Sequence, residues 1–468
     1  MASAAAAAAA PGRARPRLAT PDVLVIGAGL SGLESALLLE DLGAKVQVIE
    51  ARRRIGGRVY TLSDLPGHPE AGGSGFAKGY GRVLDRARAL QLPLVDAGIR
   101  RARFPKLELA LDSQLLDREQ WARSPLNPLP AEQKARFPWE FAGGFLSGNN
   151  PLASQDAWLD DASAPLDLPL HEWLRGRGLD ERTIKLCWST NPYFGTSAYD
   201  ISALQCFYND AWTRTVSQGS ISSFAIEGGN QRLPLAMAAR LQHEVHLGCE
   251  VASVRETGSE VEVRCVDGAR YRAKAVICSL PFSVVRNLRF DPILAGPQAE
   301  AVGTLPYMVN TLFFFVPKRR YWEQDGLSPM MWTDGPAGVV VAERFGRSDD
   351  EVTTIIANPR GTVAAALDRL PPQEAIRIVR EAIEGLRPAA RGALEGGRVQ
   401  SWAREPYSAG DWAVFGPGQV RRFANAMAAP HGRVFFCGEH TARGNRGMEG
   451  AMESAERVAL EVAGRLQG

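Results

Sequence analysis

The first clear pattern in the chain is an uninterrupted apolar run, Val23–Ile26, with no polar residue inside it. An alternating strand would keep one wet face, whereas this run reads as buried on both faces, as a parallel strand is. An Ala- and Leu-rich helical pattern follows over 33–42, and a second apolar strand over 45–49. Further strand-like stretches occur at 244–249, 276–281, 309–316 and 338–342. Helical periodicity returns over 373–386 and over 451–466, where an apolar stripe faces charged residues. Residues 85–220 carry helical patterns broken at Leu129-Pro130 and Ala142-Gly-Gly144. Strands alternating with helices predict an α/β protein whose first unit is Rossmann-like. No internal repeat is visible.

The link between the first strand and helix carries chemistry. It reads Gly27-x-Gly29-x-x-Gly32. Gly27 permits a tight turn, Gly29 lets the backbone approach a pyrophosphate, and Gly32 allows close helix–strand packing. The helix start then presents unpaired N–H groups and its positive dipole end to the phosphates. Glu50 ends the second strand, 23 residues after Gly27 (50 − 27), where a carboxylate can accept hydrogen bonds from an adenosine ribose.

Arg52, Arg53, Arg54, Gly56, Gly57 and Arg58 follow at once. Adjacent glycines admit a ligand close to the backbone, and guanidiniums neutralise a diphosphate. Charge alone leaves FAD and NADP open, because the arginines can also meet a 2′-phosphate. Glu50 speaks against NADP, since its carboxylate repels that phosphate.

The stretch Glu50-Ala-Arg-Arg-Arg54-Ile-Gly-Gly57-Arg58 resembles the second fingerprint of the flavin-containing amine oxidase superfamily. That superfamily includes monoamine oxidases, polyamine oxidases, L-amino-acid oxidases and flavin-dependent histone demethylases. Glu70-Ala-Gly-Gly73, Glu227-Gly-Gly229-Asn-Gln-Arg-Leu233, Trp402 to Trp412, and Val434 to Ala451 resemble further family segments in the same order. The resemblance implies an amine oxidase-like two-domain architecture: a discontinuous FAD-binding domain (21–84, 225–285 and 400–468) and an α+β substrate domain. The latter combines a helical insertion (85–224) with a mixed strand and helix segment (286–399). It implies roles by position as well. The Val251 backbone meets the adenine, Gly73 lies beside the flavin, Gly438 and Glu439 lie near the ribityl chain, and the Met448 amide lies near the flavin pyrimidine carbonyl. Together with Gly27, Gly29, Gly32, Glu50, Arg52, Arg54, Gly57 and Arg58, these form the expected cofactor set.

The chain departs from its relatives beside the ring. The lysine that assists reaction of reduced flavin with oxygen aligns with Asn310, and Lys318 lies beyond the strand in a solvated loop. Of the aromatic pair that sandwiches an amine, Trp412 remains and Gly447 replaces the other. Asp411 stands where some relatives attach FAD through cysteine, so FAD is expected to be held non-covalently. Among aromatic residues of the first insertion, Tyr193, on a Pro- and Gly-flanked loop, is the one expected to reach substrate through its phenol. His440 reads as structural. Arg443 and Arg446 are candidates for a substrate carboxylate or for a phosphate- or solvent-facing role.

The expected activity is therefore hydride removal from a small-molecule substrate, first as oxidation of an amine C–N bond to an imine. The alternative is desaturation of a carbon–carbon bond next to a carbonyl in a cyclic ketone or acid. A flavin-binding protein without turnover ranks third. Asn310 predicts slow use of O2, so the electron acceptor is O2 or another carrier.

Composition sets bounds on this reading. The profile is globular, 45% hydrophobic and 23% charged. A net charge of +2 gives no sign of a nucleic-acid partner. No run approaches the ~18 apolar residues that a membrane-crossing helix needs. Six cysteines lack paired or metal-ligand spacing, so no metal is expected and a reducing, cytoplasmic setting fits. Residues 1–20, an alanine run followed by arginines, read as a disordered tail rather than a transit peptide. Oligomeric state is left open, a homodimer included.

Overall fold

The computed structural model describes residues 20–97, 106–217, 223–344, 348 and 351–467. Apart from Thr20, the expected N-terminal tail lies outside them.

The apolar run becomes the central strand of a five-stranded parallel sheet. Its order is His246–Leu247, Val46–Glu50, Val23–Ile26, Ala275–Cys278, Val434–Phe436. Every residue of Val23–Ile26 is buried, as a two-faced parallel strand requires. The helix Leu30–Asp41 packs against the long C-terminal helix Gly447–Gln467. Leu33, Leu37, Val48, Val458 and Val462 fill the layer they share with the sheet. Two later crossings therefore bring residues near 279 and 438 to the carboxyl end of the first strand, where ligands bind open α/β sheets.

A seven-stranded sheet forms the other large layer, in the order Leu394–Ser401, Thr311–Pro317, Thr354–Asn358, Val339–Glu343, Met331–Thr333, Glu108–Leu111, Gln114–Leu116. Its last two strands come from the segment read as helical. Glu108–Leu111 pairs in parallel with Met331–Thr333. Four residues are too short to show a period, so pattern alone misses them. Likewise the run 244–249 shrinks to the two-residue edge strand His246–Leu247. The helices of the first insertion, including Pro138–Gly148 and Ala203–Ser217, pack around Phe141, Trp158, Trp173 and Phe207.

Candidate functional site

The glycine turn has the geometry that its spacing requires. Gly27 sits at φ +105°, and a Cβ on Gly32 would strike the Gly27 carbonyl oxygen, so helix and strand approach as closely as glycine permits. Glu50 is buried at the end of its strand. One carboxylate oxygen accepts from the Ala28 N–H and the other from the Arg52 N–H, both at 2.9 Å. The carboxylate is thereby fixed beside the turn with lone pairs to spare.

A cavity of about 510 Å³ runs from this turn to the edge of the seven-stranded sheet. Its wall includes Gly27, Gly29, Glu50, Arg52 and Gly57 at one end and Asn310, Asp411, Trp412, Gly447 and Met448 at the other, with Arg58, Gly73, Gly438 and Glu439 also contributing. Of the expected cofactor set, Gly32, Arg54 and Val251 stand outside the wall. Gly32 packs inside the turn, and Arg54 lies over the Tyr60 ring at 4.1 Å. Val251 begins a strand of a separate four-stranded sheet.

Long-range bonds tie the wall together. Asn230 donates its side-chain amide to the Gly73 carbonyl and its backbone N–H to Glu70, each at 2.6 Å. The buried Trp402 indole donates to the Ala71 carbonyl at 2.7 Å. Arg58 donates to Glu439 Oε1 at 3.0 Å and to the Asp411 carbonyl. Burial works to raise the Glu439 pKa, but Arg58 and Arg446 outweigh it and hold this carboxyl below its ordinary range. Its other oxygen, Oε2, is buried without a partner among the described residues, in a side chain that lines the cavity. The Trp412 indole N–H is similarly unpaired. A narrow glycine cradle, two arginines on one wall and unsatisfied polar atoms on the other fit a dinucleotide with a planar ring at the Trp412 end.

The positions flagged for chemistry meet at that end. Asn310 Nδ2 donates to Asp411 Oδ2 at 2.6 Å, and Asn310 Oδ1 accepts from Asn358. Burial pushes the Asp411 carboxyl up to about 6, against the pull of Asn310 and Arg58. Gly447 has φ +55°, and the atom nearest a Cβ built there is the Tyr80 hydroxyl at 3.9 Å, so the position opens into space. Tyr80 and Trp212 line that space, their rings 5.8 Å apart, and Phe194 meets Trp412 edge-on at 6.4 Å. Tyr193 also lines the cavity, with no hydrogen-bond partner for its phenol among the described residues and 68% of its surface exposed. Lys318 is exposed and pairs with Glu395, as its loop position implied. Arg446 is buried and donates to the Ala413 carbonyl at 2.6 Å, while Arg443 is exposed and outside the wall. His440 is buried against Phe282.

The model of the flavin containing amine oxidoreductase family matches residues 30–463. The chain belongs to this family. It is therefore an FAD-dependent oxidoreductase, and the carboxyl of Asp411 offers no thiol for a covalent link, so FAD is held non-covalently. The chain is 27% identical to flavin-containing amine oxidase B of Cavia porcellus over 482 residues, covering 94% of this chain and 86% of that protein. Identity to the flavin-containing amine oxidase of Danio rerio is also 27%, over 476 residues, covering 94% and 85%. Among solved structures, a putrescine oxidase variant superposes with TM-score 0.76 at 22% identity, covering 95% of this chain and 99% of that one. Cyclohexylamine oxidase from Brevibacterium oxydans gives TM-score 0.76 at 21% identity, covering 96% and 100%. These likenesses show the two-domain flavin amine oxidase fold.

Asn358, Arg360, Tyr80 and Trp212 in the family's ring-end cavity were not legible from pattern. They come together at the wall from separate parts of the chain, a helix (Trp212), a helix start (Tyr80) and the end of a strand of the seven-stranded sheet (Asn358, and Arg360 just after it).

Proposed function

We propose that this enzyme oxidises the C–N bond of a small-molecule amine to an imine, which water hydrolyses to a carbonyl product. When bound, FAD supplies the two-electron acceptor for the hydride leaving the α-carbon. The observation that carries this reading is the aromatic enclosure of Trp412, Phe194, Tyr80 and Trp212 around the opening at Gly447. Such walls exclude water and orient a neutral amine for transfer. Asp411 is the group suited to accept the ammonium proton, because it lines the cavity and burial pushes its carboxyl up to about 6, above the ordinary carboxylate range. The substrates named for the superposed structures, putrescine and cyclohexylamine, are both amines.

Desaturation beside a carbonyl is the second reading. Asp411 favours it too, since a carboxylate that lines the cavity can remove an acidic α-proton. Anaerobic titration of the holoprotein separates the two. Bleaching of the oxidised flavin band by an amine panel, and not by a cyclic-ketone panel, is the expected result. The reverse pattern would replace the first reading with the second.

The cavity wall contains no lysine among the described residues, and Asn310 cannot place a cation at the ring. We infer that O2 is a slow acceptor and that another carrier takes the electrons in turnover.

A further inference from the structure

Beyond the ring end lies a second cavity of about 750 Å³. It adjoins the first, with Tyr193, Phe194, Asn358 and Arg360 lining both. Its walls are largely apolar, with Trp139, Leu146, Trp188, Trp332, Val341 and Ile356 among them. A bulky apolar body has a place to lie there.

Arg360 stands at the junction and is held in an unusual way. Its Nε donates to Asn358 Oδ1 at 3.1 Å, while its guanidinium lies over the Tyr193 ring, 4.7 Å from the centroid. Asn358 cannot turn away, because its amide nitrogen donates to Asn310 and to the Thr311 carbonyl. Gly361, at φ +57°, lets the chain after Arg360 press against Thr196 and Pro192, which fixes the loop that carries Tyr193. The guanidinium is thus aimed by Asn358 and Tyr193, and among the described residues no carboxylate lies within ion-pair distance of it, Asp411 acting on it only at longer range.

The other charges of the second cavity have engagements of their own. Glu70 accepts from Thr61 and the Asn230 N–H, and Asp210 accepts from Arg214 at 2.9 Å and from Asn150 at 2.7 Å. Glu343 is buried and has an interaction of its own. With Nε occupied, the two terminal nitrogens of Arg360 form an open fork that matches a carboxylate.

We propose that Arg360 anchors a carboxylate of the substrate, and that the substrate is an acid whose bulky apolar portion fills the second cavity. This deepens the proposed oxidation by naming the class of molecule that enters the same site, and it rests on that reading only for the chemistry that follows binding. Arg446, considered from sequence for this role, is committed to the Ala413 carbonyl and leaves it to Arg360.

The test needs no turnover. Naphthylacetate and its neutral isostere naphthylacetamide are titrated into the FAD-loaded protein, with binding followed by calorimetry and by perturbation of the visible spectrum. The acid is expected to bind about tenfold or more tighter than the amide, as a desolvated charge-assisted pair allows. Arg360→Gln should abolish the preference, and Arg360→Lys should retain part of it, each with unchanged FAD content and melting temperature. If Arg360→Gln fails to fold, the Lys variant and the salt dependence of acid binding decide alone. Equal affinities, a preference for the amide, or no binding of either probe would overturn the proposal. Failure of the amine panel to bleach the flavin leaves the acid preference untouched, so the two readings fail separately.

Discussion

Asn310 is fixed by two side-chain hydrogen bonds, one to Asp411 and one from Asn358. It is therefore a built element of the ring-end wall and not a vacancy left by a lost lysine. Asn310→Lys would set a cation beside Asp411 and beside the place where reduced flavin meets oxygen. The expected outcome is reoxidation by air accelerated by roughly tenfold or more, in the range that one well-placed electrostatic group supplies. Stopped-flow absorbance of the anaerobically reduced protein mixed with aerated buffer measures it. Rapid reoxidation of the unaltered enzyme would remove the basis for calling oxygen a slow acceptor. Glu50 and the glycine turn could be read from sequence because their roles depend on spacing within one strand–helix–strand unit. Arg360 could not, because its meaning comes from Asn358, Tyr193 and Gly361, which meet only when a sheet and a loop pack together.

At the scale of elements, the junction of Val23–Ile26 with Leu30–Asp41 is the tightest constraint on the cofactor end. A Cβ at position 32 would meet the Gly27 carbonyl and the Ser279 hydroxyl, and backbone cannot yield as a flexible side chain can. Gly32→Ala is expected to destabilise the protein by about 2 kcal/mol, within the range for overpacking, and to lower FAD stoichiometry. Gly464→Ala is the contrast, for it lies exposed in the C-terminal helix with nothing near its Cβ. There the substitution should be neutral or stabilising by up to ~1 kcal/mol. Denaturant melts with flavin absorbance per mole of protein report both effects. The two strands hidden in the segment read as helical belong to this scale. Glu108–Leu111 has no visible period and is held as a strand by Met331–Thr333 on one side and Gln114–Leu116 on the other.

Across the whole molecule, two titrating groups, the buried His440 and the half-buried Asp411, give stability opposite dependences on pH. Burial pushes the His440 imidazole down from 6.5 to about 3, so the folded chain keeps it neutral while the unfolded chain protonates it below 6.5. Its contribution to stability is intact above 6.5 and declines as pH falls toward 3. Asp411 runs the other way. Its pKa rises from 3.8 to about 6, so acidification through that interval favours the folded state. Between pH 7 and 4.5, His440→Phe should therefore shrink the fall in melting temperature and Asp411→Asn should enlarge it. For His440 the difference amounts to on the order of 2 kcal/mol. Circular-dichroism melts of the three proteins across that range check the signs, and a change of the same sign in both variants would refute the assignment.

The parallel pairing of Glu108–Leu111 with Met331–Thr333 also acts as a clasp. It stitches stretches more than two hundred residues apart into one sheet, so a single nick in the backbone between them would not release either piece. The fragments would stay interlocked, because each carries strands of the same seven-stranded sheet.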